Sequence, residues 1–386
     1  MKRKCPVCHS EKNEFLSNLC GNMSIMGESF PNCCSVNVTC SCCGCVYVDI
    51  DTTQEVFSKY YNSDMSRGID YYSMFGVKET QEYYEHIFDS IKKYITFDSD
   101  IMDLGCGLGD FTKFLTERGY RNVLGVDPSE RNIETARKKG INCIQADSFS
   151  DDPNLIGKFD FIIFSHTLEH IFDTFSALEN VKRMLKPNGI IYIEVPDASK
   201  YCDVDFSPYF FLTYEHVVHY TYEILPKIAG CFGFDLIQSE QFLKAASYYV
   251  LYGLFKNGGQ YQPVHYNDTT KLAIQQYLEC CKNNLKIYIE KLEISQEKLI
   301  LWGIGASTAL LLTETFNKCN VIKLVDYNPS RQGLWFDIGK KKLMIEPPES
   351  ITDHDATIFV LPVMYKDSII KQIKSLGLTN KIVTFG

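Results

Sequence analysis

The sequence predicts an α/β protein in which a cysteine-rich N-terminal module precedes two segments of alternating strands and helices. Residues 99–262 alternate short apolar runs with helical stretches, which is typical of a parallel sheet. Residues 298–386 repeat the pattern on a smaller scale, and nine of the 16 cysteines fall in the first 45 residues. We therefore expect five segments: a module at 1–50, a helical and aromatic linker or lid at 51–98, a central domain at 99–262, a connector helix at 263–297 and a small α/β domain at 298–386.

The composition narrows the classes of partner. The net charge of −9 disfavours a broad nucleic-acid surface, which requires a basic field. No apolar run approaches the ~20 residues that span a bilayer. The first residues, MKRKCPVCHS, lack the apolar stretch of a signal peptide. We expect a cytoplasmic protein that acts on a small molecule, without a nucleic-acid or membrane partner.

Two Cys-x-x-Cys motifs in the module predict a metal site. The first is CPVC, with Cys5 and Cys8, and the second lies within CSCCGC. Two such motifs can supply four thiolates to one tetrahedral zinc ion. The second pair is either Cys40 and Cys43 or Cys42 and Cys45. We prefer Cys40 and Cys43, because Gly44 then follows the second ligand, where the turn often needs a left-handed residue.

Other interpretations of these cysteines are a redox site, plain burial, or His9 as a substitute ligand. A redox Cys-x-x-Cys motif is expected at a strand–helix junction, and the surrounding sequence does not resemble one. Four thiolates leave no coordination position open, so we predict a structural zinc ion rather than a catalytic one.

The glycine-rich stretch DLGCGLGD, residues 103–110, predicts a ligand-binding turn after the first strand of the central domain. Its glycines, at 105, 107 and 109, are evenly spaced. A dinucleotide-binding loop instead reads G-x-G-x-x-G, which serves a pyrophosphate. The spacing therefore favours a different nucleotide-like ligand.

Polar residues at the ends of the next strands indicate what that ligand contains. Asp127 ends the second strand, NVLGVD, where an acid commonly binds the ribose hydroxyls of an adenosine ligand. Asp147 follows the third strand and could accept a hydrogen bond from an adenine amino group. Ser165 ends the fourth strand, FDFIIFS. The carboxyl ends of strands are where open α/β sheets bind ligands.

The ordered motifs of residues 99–197 resemble the class I S-adenosylmethionine-dependent methyltransferases. They read DLGCGLGDF, GVDPS, QADSF, FDFIIFSHTLEH and MLKPNGIIYIEVPD. The resemblance implies a Rossmann-like fold and S-adenosylmethionine as cofactor. It also implies that Gly105 and Gly107 let the backbone approach the ligand, that Asp103 orients its ammonium group, and that Ser165 and His166 line its methionine end.

A polar cluster beyond the fifth strand predicts the catalytic groups. The stretch FLTYEHVVHYTYEIL, residues 210–224, holds Glu215, His216 and His219 among aromatic residues. Methyl transfer requires alignment and a base that exposes the nucleophile, and a histidine beside a glutamate suits that role. We predict His216 and Glu215 as catalytic. In the alternative, the Glu-His pair only bonds backbone amides, and we expect His219 and His170 to be structural.

The layout of nearly the whole chain resembles the three-domain, zinc-containing C-methyltransferases of deoxysugar biosynthesis. The resemblance implies a nucleotide-linked keto-sugar substrate. It also implies that His216, with Glu215 beside it, removes the proton alpha to the ketone. A tyrosine from the segment before the central domain reaches the active site in that family. Tyr60, Tyr61, Tyr71 and Tyr72 are the candidates, and the sequence does not choose among them.

The C-terminal segment reads as half of a Rossmann fold. LWGIGAS (301–307) and KLVDYNPSRQG (323–333) give a glycine turn and a strand ending in Asp326. About four expected strands supply one mononucleotide half, whereas a dinucleotide site normally uses two. We expect residues 303–307 to help bind the nucleotide-sugar. FVLPVMYKD lacks the Trp-Asn typical of the resembling family, which leaves the nucleotide and the sugar open.

Three rival functions remain. An O-methyltransferase acting on a glycan or another small polar molecule would share the EH…HYT stretch. A non-enzymatic zinc scaffold would not need the ligand-binding acids. A dehydrogenase would bind NAD at the C-terminal segment.

Overall fold

Three sheets make up the computed structural model, which describes residues 3–20, 34–63, 71–204, 206–245, 247–305, 308, 311–312, 315–338 and 340–385. Two of them lie in the segments for which the sequence predicts alternating strands and helices, and the other belongs mainly to the cysteine-rich module. Helices cover or connect them. In this described part of the chain, no helix combines the length and apolar character needed to cross a membrane.

The first sheet belongs to the cysteine-rich module and is antiparallel. It contains β1 (Asn13–Cys20), β2 (Cys34–Cys40) and β3 (Val46–Val48). Its fourth strand, β9 (Val218–His219), comes from the end of the Glu-His stretch and pairs with β3. The module boundary expected at residue 50 missed this strand, since two residues are too few for a periodic pattern.

Helices follow the module, as the sequence predicts. They are α1 (Gln54–Tyr61), α2 (Tyr71–Phe75) and α3 (Val77–Ile91). The buried face of α3 includes Tyr83 and Tyr84, which precede the buried Ile87 by four and three residues. These side chains join the cluster on one face of the second sheet. The aromatic segment is therefore packed onto the central domain.

The second sheet has seven strands in the order β10-β11-β8-β7-β4-β5-β6. The five predicted strands are confirmed and run parallel: β4 (Asp100–Leu104), β5 (Asn122–Asp127), β6 (Cys143–Gln145), β7 (Phe159–Ser165) and β8 (Leu185–Pro196). The antiparallel pair β10 (Phe234–Lys244) and β11 (Tyr248–Asn257) was not predicted. The strand order reverses around β4, where such sheets bind ligands.

The crossovers of this sheet supply its helices. They are α4 (Asp110–Glu117), α5 (Glu130–Lys138), α6 (Thr174–Met184) and, after β9, α7 (Ile224–Gly230). The side chains of Ser129 and Asp173 accept hydrogen bonds at the starts of α5 and α6. These caps place the preceding strand ends at the ligand-binding edge.

A 27-residue helix, α8 (Thr269–Ser295), lies within the connector segment expected at 263–297. The third sheet has six strands rather than the expected four, in the order β14-β15-β13-β12-β16-β17. They are β12 (Leu299–Trp302), β13 (Val321–Val325), β14 (Trp335–Ile338), β15 (Lys341–Glu346), β16 (Thr357–Val360) and β17 (Ile382–Thr384), with α9 (Lys366–Ser375) before the last. The hairpin β14–β15 was missed because Lys340, Lys341 and Lys342 give it a polar sequence.

One buried apolar cluster extends through all three sheets. It includes Tyr47 of the module, Phe164 of β7, Tyr277 of α8 and Phe359 of β16. Burial of such side chains is the main favourable contribution to folding. The segments therefore share a core.

Candidate active site

The four predicted zinc ligands are brought together at one end of the first sheet. The Sγ atoms of Cys5, Cys8, Cys40 and Cys43 all lie within 4.8 Å of one another. Cys5 is 3.6 Å from Cys43, and Cys8 is 3.5 Å from Cys40. This spacing matches the Sγ–Sγ distances of roughly 3.7 Å expected when four sulfurs stand about 2.3 Å from one zinc ion. The donor set fits structural zinc.

The alternative ligands lie outside that group. Cys42 is exposed, with its Sγ 3.1 Å from Ser10 Oγ, and Cys45 Sγ faces the Val46 carbonyl. The ring of His9 packs on Phe175 at 4.1 Å. Gly44 has φ of +82°, and a Cβ there would lie 1.7 Å from the carbonyl oxygen of Asn267. The left-handed turn that favoured Cys40 and Cys43 is therefore present.

The glycine-rich loop takes the left-handed conformation that only glycine adopts readily. Gly105 and Gly107 have φ of +83° and +55°. A Cβ at Gly105 would lie 2.2 Å from Thr167 Oγ1, whereas a Cβ at Gly107 would meet nothing within 4 Å. The space in front of Gly107 is therefore open to a ligand, as the cofactor assignment requires.

Asp127 fastens this loop to the next strand. Its Oδ2 accepts a hydrogen bond from Gly107 N at 2.9 Å, and its Oδ1 accepts from Ser129 N at 2.9 Å and Asn132 Nδ2 at 3.1 Å. Burial raises the pKa of Asp127, and these hydrogen bonds oppose that shift. A carboxylate has about four acceptor sites. One site on Oδ2 remains for the expected ribose hydroxyl.

Asp103 and Asp147 lie at the same edge in different environments. Asp103 is 5% exposed and accepts a 2.7 Å hydrogen bond from Thr112 Oγ1. Burial raises its pKa to about 6, against the opposing effect of that bond. Asp147 is half-buried just after β6 and accepts a bond from Phe149 N at 2.9 Å. Both fit groups that contact a ligand entering at this edge.

Ser165 and His166, predicted to line the methionine end, contact a carboxylate that sequence analysis missed. Ser165 Oγ donates to Glu194 Oε1 at 2.8 Å, and His166 Nε2 lies 3.1 Å from the same oxygen. Glu194 is fully buried and accepts further bonds from Tyr83 and Tyr192. The sequence feature that could have identified Glu194 is an acidic residue within the otherwise apolar strand GIIYIEVP.

Glu169 is the second carboxylate that was missed. It is 2% exposed, and its Oε1 lies 3.3 Å from His166 Nδ1 and 3.7 Å from His170 Nε2. Side-chain donor or acceptor atoms of Glu169, His170 and His216 fall within 4.8 Å of one another. The imidazoles of His170, His166 and His216 outweigh burial and lower the pKa of Glu169 to about 2.

The side chains of the predicted pair, His216 and Glu215, contact different groups. The Glu215 carboxylate accepts a 2.6 Å hydrogen bond from the Tyr60 hydroxyl, and its carbonyl accepts one of 2.9 Å from His170 Nδ1. The ring of His216 instead lies 5.0 Å from that of His170, on the side of Glu169. Burial, helped by His170, lowers the pKa of His216 to about 3. The ring is therefore neutral, and its protonated form needs a nearby negative charge to stabilise it.

His219 and His170 both have contacts within the fold, and their expected structural role stays a prediction. His219 is buried on β9, with Nε2 3.3 Å from Asn37 Oδ1 and Nδ1 3.4 Å from the Tyr201 hydroxyl. Both of its nitrogens thus have neighbours in the fold. His170 is fastened to the Glu215 carbonyl, but it also contacts the catalytic candidates.

The candidate tyrosines that the structure describes lie in two different places. Tyr60 bonds Glu215, and the ring of Tyr61 packs on His170 at 5.8 Å. Tyr72 packs on Tyr84, in the cluster under α3. The side chain of Tyr71 lies outside the described residues. Tyr60 and Tyr61 are therefore the two described tyrosines at the Glu-His pair.

The C-terminal glycine loop is only partly described, since 306 and 307 lie outside the described residues. Gly303 has φ of +90° and packs against Pro362. Asp326 accepts a 2.7 Å bond from Asn328 N and lies 3.4 Å from Arg331 Nη1. The acid that a ribose would need is therefore partly engaged by the protein.

Comparisons with known proteins concern the central part of the chain. Residues 57–239 match the family model described as a methyltransferase domain. Ribosomal protein L11 methyltransferase of Thermosipho africanus (strain TCF52B) is 30% identical over 109 residues, 27% of this chain and 40% of that protein. Trans-aconitate 2-methyltransferase of Enterobacter sp. (strain 638) is 33% identical over 102 residues, 26% of this chain and 40% of that protein.

Among solved structures, an S-adenosylmethionine-dependent methyltransferase from Mesorhizobium loti is 21% identical, with a TM-score of 0.36 over 44% of this chain and 96% of that chain. The chain spans about 40% of the length of the curated relatives named above. The names of those two relatives differ in substrate, so they leave the substrate of this chain open. Residues 57–239 therefore match a methyltransferase domain, and the two curated relatives that share part of the chain are methyltransferases.

Proposed function

We propose that the chain is an S-adenosylmethionine-dependent enzyme that C-methylates a nucleotide-linked keto-deoxysugar. The observation that carries the proposal is the cluster of His216, His170 and Glu169, which contacts the cofactor-binding edge through His166. Sugar carbons are not acidic unless a neighbouring ketone stabilises the carbanion. A neutral, buried imidazole beside a carboxylate suits such a step.

In the proposed reaction, His216 takes the proton from the carbon alpha to the ketone. The C–H electron pair moves to the ketone oxygen. In this proposal the Tyr60 hydroxyl exchanges its hydrogen bond to Glu215 for one to that oxygen, where it stabilises the developing negative charge. The enolate carbon then takes the methyl group, and S-adenosylhomocysteine leaves. S-adenosylmethionine supplies the electrophilic methyl group. Burial and the Glu215 charge raise the pKa of Tyr60 well above its ordinary value, so it remains a donor.

The remaining assignments belong to the same proposal. Cys5, Cys8, Cys40 and Cys43 hold structural zinc, because their sulfur spacing fits one ion. A cytoplasmic location accords with four reduced thiols. The C-terminal unit helps to bind the nucleotide, and the substrate is a small molecule rather than a nucleic acid. The five segments act as a zinc module, a lid, a catalytic domain, a connector and a substrate-binding domain.

Calorimetry with S-adenosylhomocysteine and NADH tests this proposal, each ligand being titrated with and without thymidine, uridine, guanosine and cytidine diphosphates. Binding of S-adenosylhomocysteine together with one diphosphate supports a nucleotide-sugar methyltransferase. Binding of S-adenosylhomocysteine alone favours the O-methyltransferase acting on a glycan or another small polar substrate. NADH binding alone contradicts methyl transfer, and failure to bind any of them revives the scaffold.

A second experiment separates C-methylation from O-methylation. Nucleoside diphosphate-linked 4-keto-6-deoxyhexoses are incubated with the enzyme and S-adenosylhomocysteine in D₂O. The C-methylation proposal predicts deuterium at a carbon alpha to the ketone, detected by NMR. An enzyme that methylates these sugars without such exchange would be an O-methyltransferase.

A further inference from the structure

We propose that Glu169 is the positioning residue of the reaction: it orients His216 and balances the positive charge that His216 acquires with the proton. This inference rests on the proposed function. It assigns to Glu169 the part that sequence analysis gave to Glu215. The two carboxylates have different neighbours, and these neighbours carry the argument.

Glu215 accepts its hydrogen bonds from residues other than His216. Its carboxylate accepts the Tyr60 hydroxyl at 2.6 Å, and its carbonyl accepts His170 Nδ1 at 2.9 Å. Adjacent residues in a chain need not direct their side chains to the same place, and in this loop they do not. Glu215 therefore holds Tyr60 and His170 in place.

Glu169 is fastened to the segment that carries the base. Its backbone carbonyl accepts a 2.8 Å hydrogen bond from the N–H of Val217, the residue after His216. Its carboxylate is 2% exposed and lies in the group formed with His170 and His216. Glu169 and His216 thus keep their separation through both backbone and side-chain contacts.

Two buried polar atoms in this cluster have no partner among the described residues. They are Glu169 Oε2 and His216 Nδ1. A buried polar atom without a hydrogen bond is costly, so such atoms commonly mark a functional site. A proton added to His216 creates a cation near the Glu169 anion, and the attraction between the two charges offsets part of the cost of burying them.

The electrostatics favour the same assignment. His216 is neutral in the resting site, so its protonated form must be stabilised when it accepts the proton. The carboxylate of Glu169 remains ionised among the imidazoles that surround it. An ion pair in a buried site is stronger than the same pair in water. Without the charge of Glu169, the imidazolium would lack its nearest counter-ion, and proton removal would slow.

A double-mutant cycle tests the proposal in the full-length chain. The variants are Glu169→Gln, His216→Asn and the two combined, and the rate is deuterium exchange into the keto-sugar that the wild-type enzyme labels. We expect Glu169→Gln to slow exchange by roughly 100-fold, the lower end of a typical acid–base contribution. In the His216→Asn background the same change should cost less than about threefold, since residues that act as a unit are not additive. Equal losses in both backgrounds would overturn the proposal.

Glu169→Asp is the matched variant. Aspartate keeps the charge and glutamine keeps the length, so a charge-balancing role predicts faster exchange with Asp than with Gln. The reverse order would indicate that Glu169 only fills space. Urea denaturation and S-adenosylhomocysteine binding, compared among the variants, show whether each one folds and keeps the cofactor site.

Two results separate this inference from the proposed function. If His216→Asn exchanges as fast as wild type, or wild type labels none of the keto-sugars, the proposed function fails and the inference fails with it. If His216→Asn is inactive while Glu169→Gln is normal, only the inference fails. Metal analysis gives a third outcome: a second metal equivalent that disappears in Glu169→Gln would mean that Glu169, His170 and His216 bind a cation, which also overturns the proposal.

Discussion

The hydroxyl of Tyr60 donates a 2.6 Å hydrogen bond to the carboxylate of Glu215, 155 positions further along the chain. The bond joins α1, in the aromatic segment, to the loop that precedes β9. The bond therefore places α1 next to the Glu-His pair. The sequence offered four tyrosines without a choice, and this contact favours Tyr60.

Tyr60→Phe tests that contact. We expect a roughly 10- to 100-fold loss in the rate of methyl transfer, because the proposed enolate oxygen loses a donor of the oxyanion-hole kind. Affinity for S-adenosylhomocysteine should change little, since Tyr60 contacts the Glu-His side of the site. The measurements are single-turnover kinetics and calorimetry. Tyr72→Phe, at a tyrosine packed on Tyr84 in the separate cluster under α3, is the matched control and should keep the wild-type rate. Equal losses in both variants would indicate general loosening of the segment.

The zinc assignment predicts a difference between neighbouring cysteines. Cys43→Ser should release the metal and destabilise the module, because structural zinc contributes roughly 10–16 kcal/mol of apparent binding free energy in small zinc domains. Cys42→Ser should retain one equivalent, since Cys42 is exposed and lies outside the sulfur group. Elemental analysis of the purified variants measures the metal. If Cys42→Ser loses zinc and Cys43→Ser retains it, the second pair of zinc ligands is Cys42 and Cys45 instead.

Much of the fold was predictable from local signals. Five parallel strands, the connector helix and the cysteine group follow from apolar runs, glycine turns and Cys-x-x-Cys spacing, which depend on nearby residues. β9 was not predictable, because its two residues form a strand only by pairing with β3. The β10–β11 pair was missed because much of β10 faces solvent and its sequence mixes polar with apolar residues.

The candidate site, like the fold, was predictable only where it depends on residues close together in the chain. Motif positions placed Asp103, Asp127 and Ser165 at the ligand edge, since strand ends are local features. The partner of each group depends on distant residues, so the sequence paired His216 with its neighbour Glu215. The structure brings Glu169 to His216 through a 3₁₀ turn, Leu168–His170, that follows β7.

The two loop glycines should respond differently to alanine. Gly105→Ala places a Cβ 2.2 Å from Thr167 Oγ1, so we expect a loss of stability of roughly 1–3 kcal/mol as well as of ligand binding. Gly107→Ala meets open space, and only its φ of +55° is unfavourable. It should lower the free energy of unfolding by about 1 kcal/mol while weakening S-adenosylhomocysteine binding at least tenfold. Denaturation and calorimetry measure the two effects. Normal binding by Gly107→Ala would show that the ligand does not approach this residue.

Asp103 predicts how cofactor binding depends on pH. Burial raises its pKa to about 6, above the ordinary value of ~3.9, so the unliganded site holds a proton at lower pH. An ammonium group attracts only the ionised carboxylate, and binding must therefore displace that proton below pH 6. The affinity for S-adenosylhomocysteine should be constant above about pH 7. It should fall by up to tenfold per unit as the pH drops from 6 to 5, the limit for one linked proton. Calorimetry across this range measures the slope, and Asp103→Asn should flatten it because an amide does not titrate. If the affinity of Asp103→Asn still falls as the pH drops, Asp103 is not the titrating group. The titration would then belong to Asp127, whose pKa is also raised by burial.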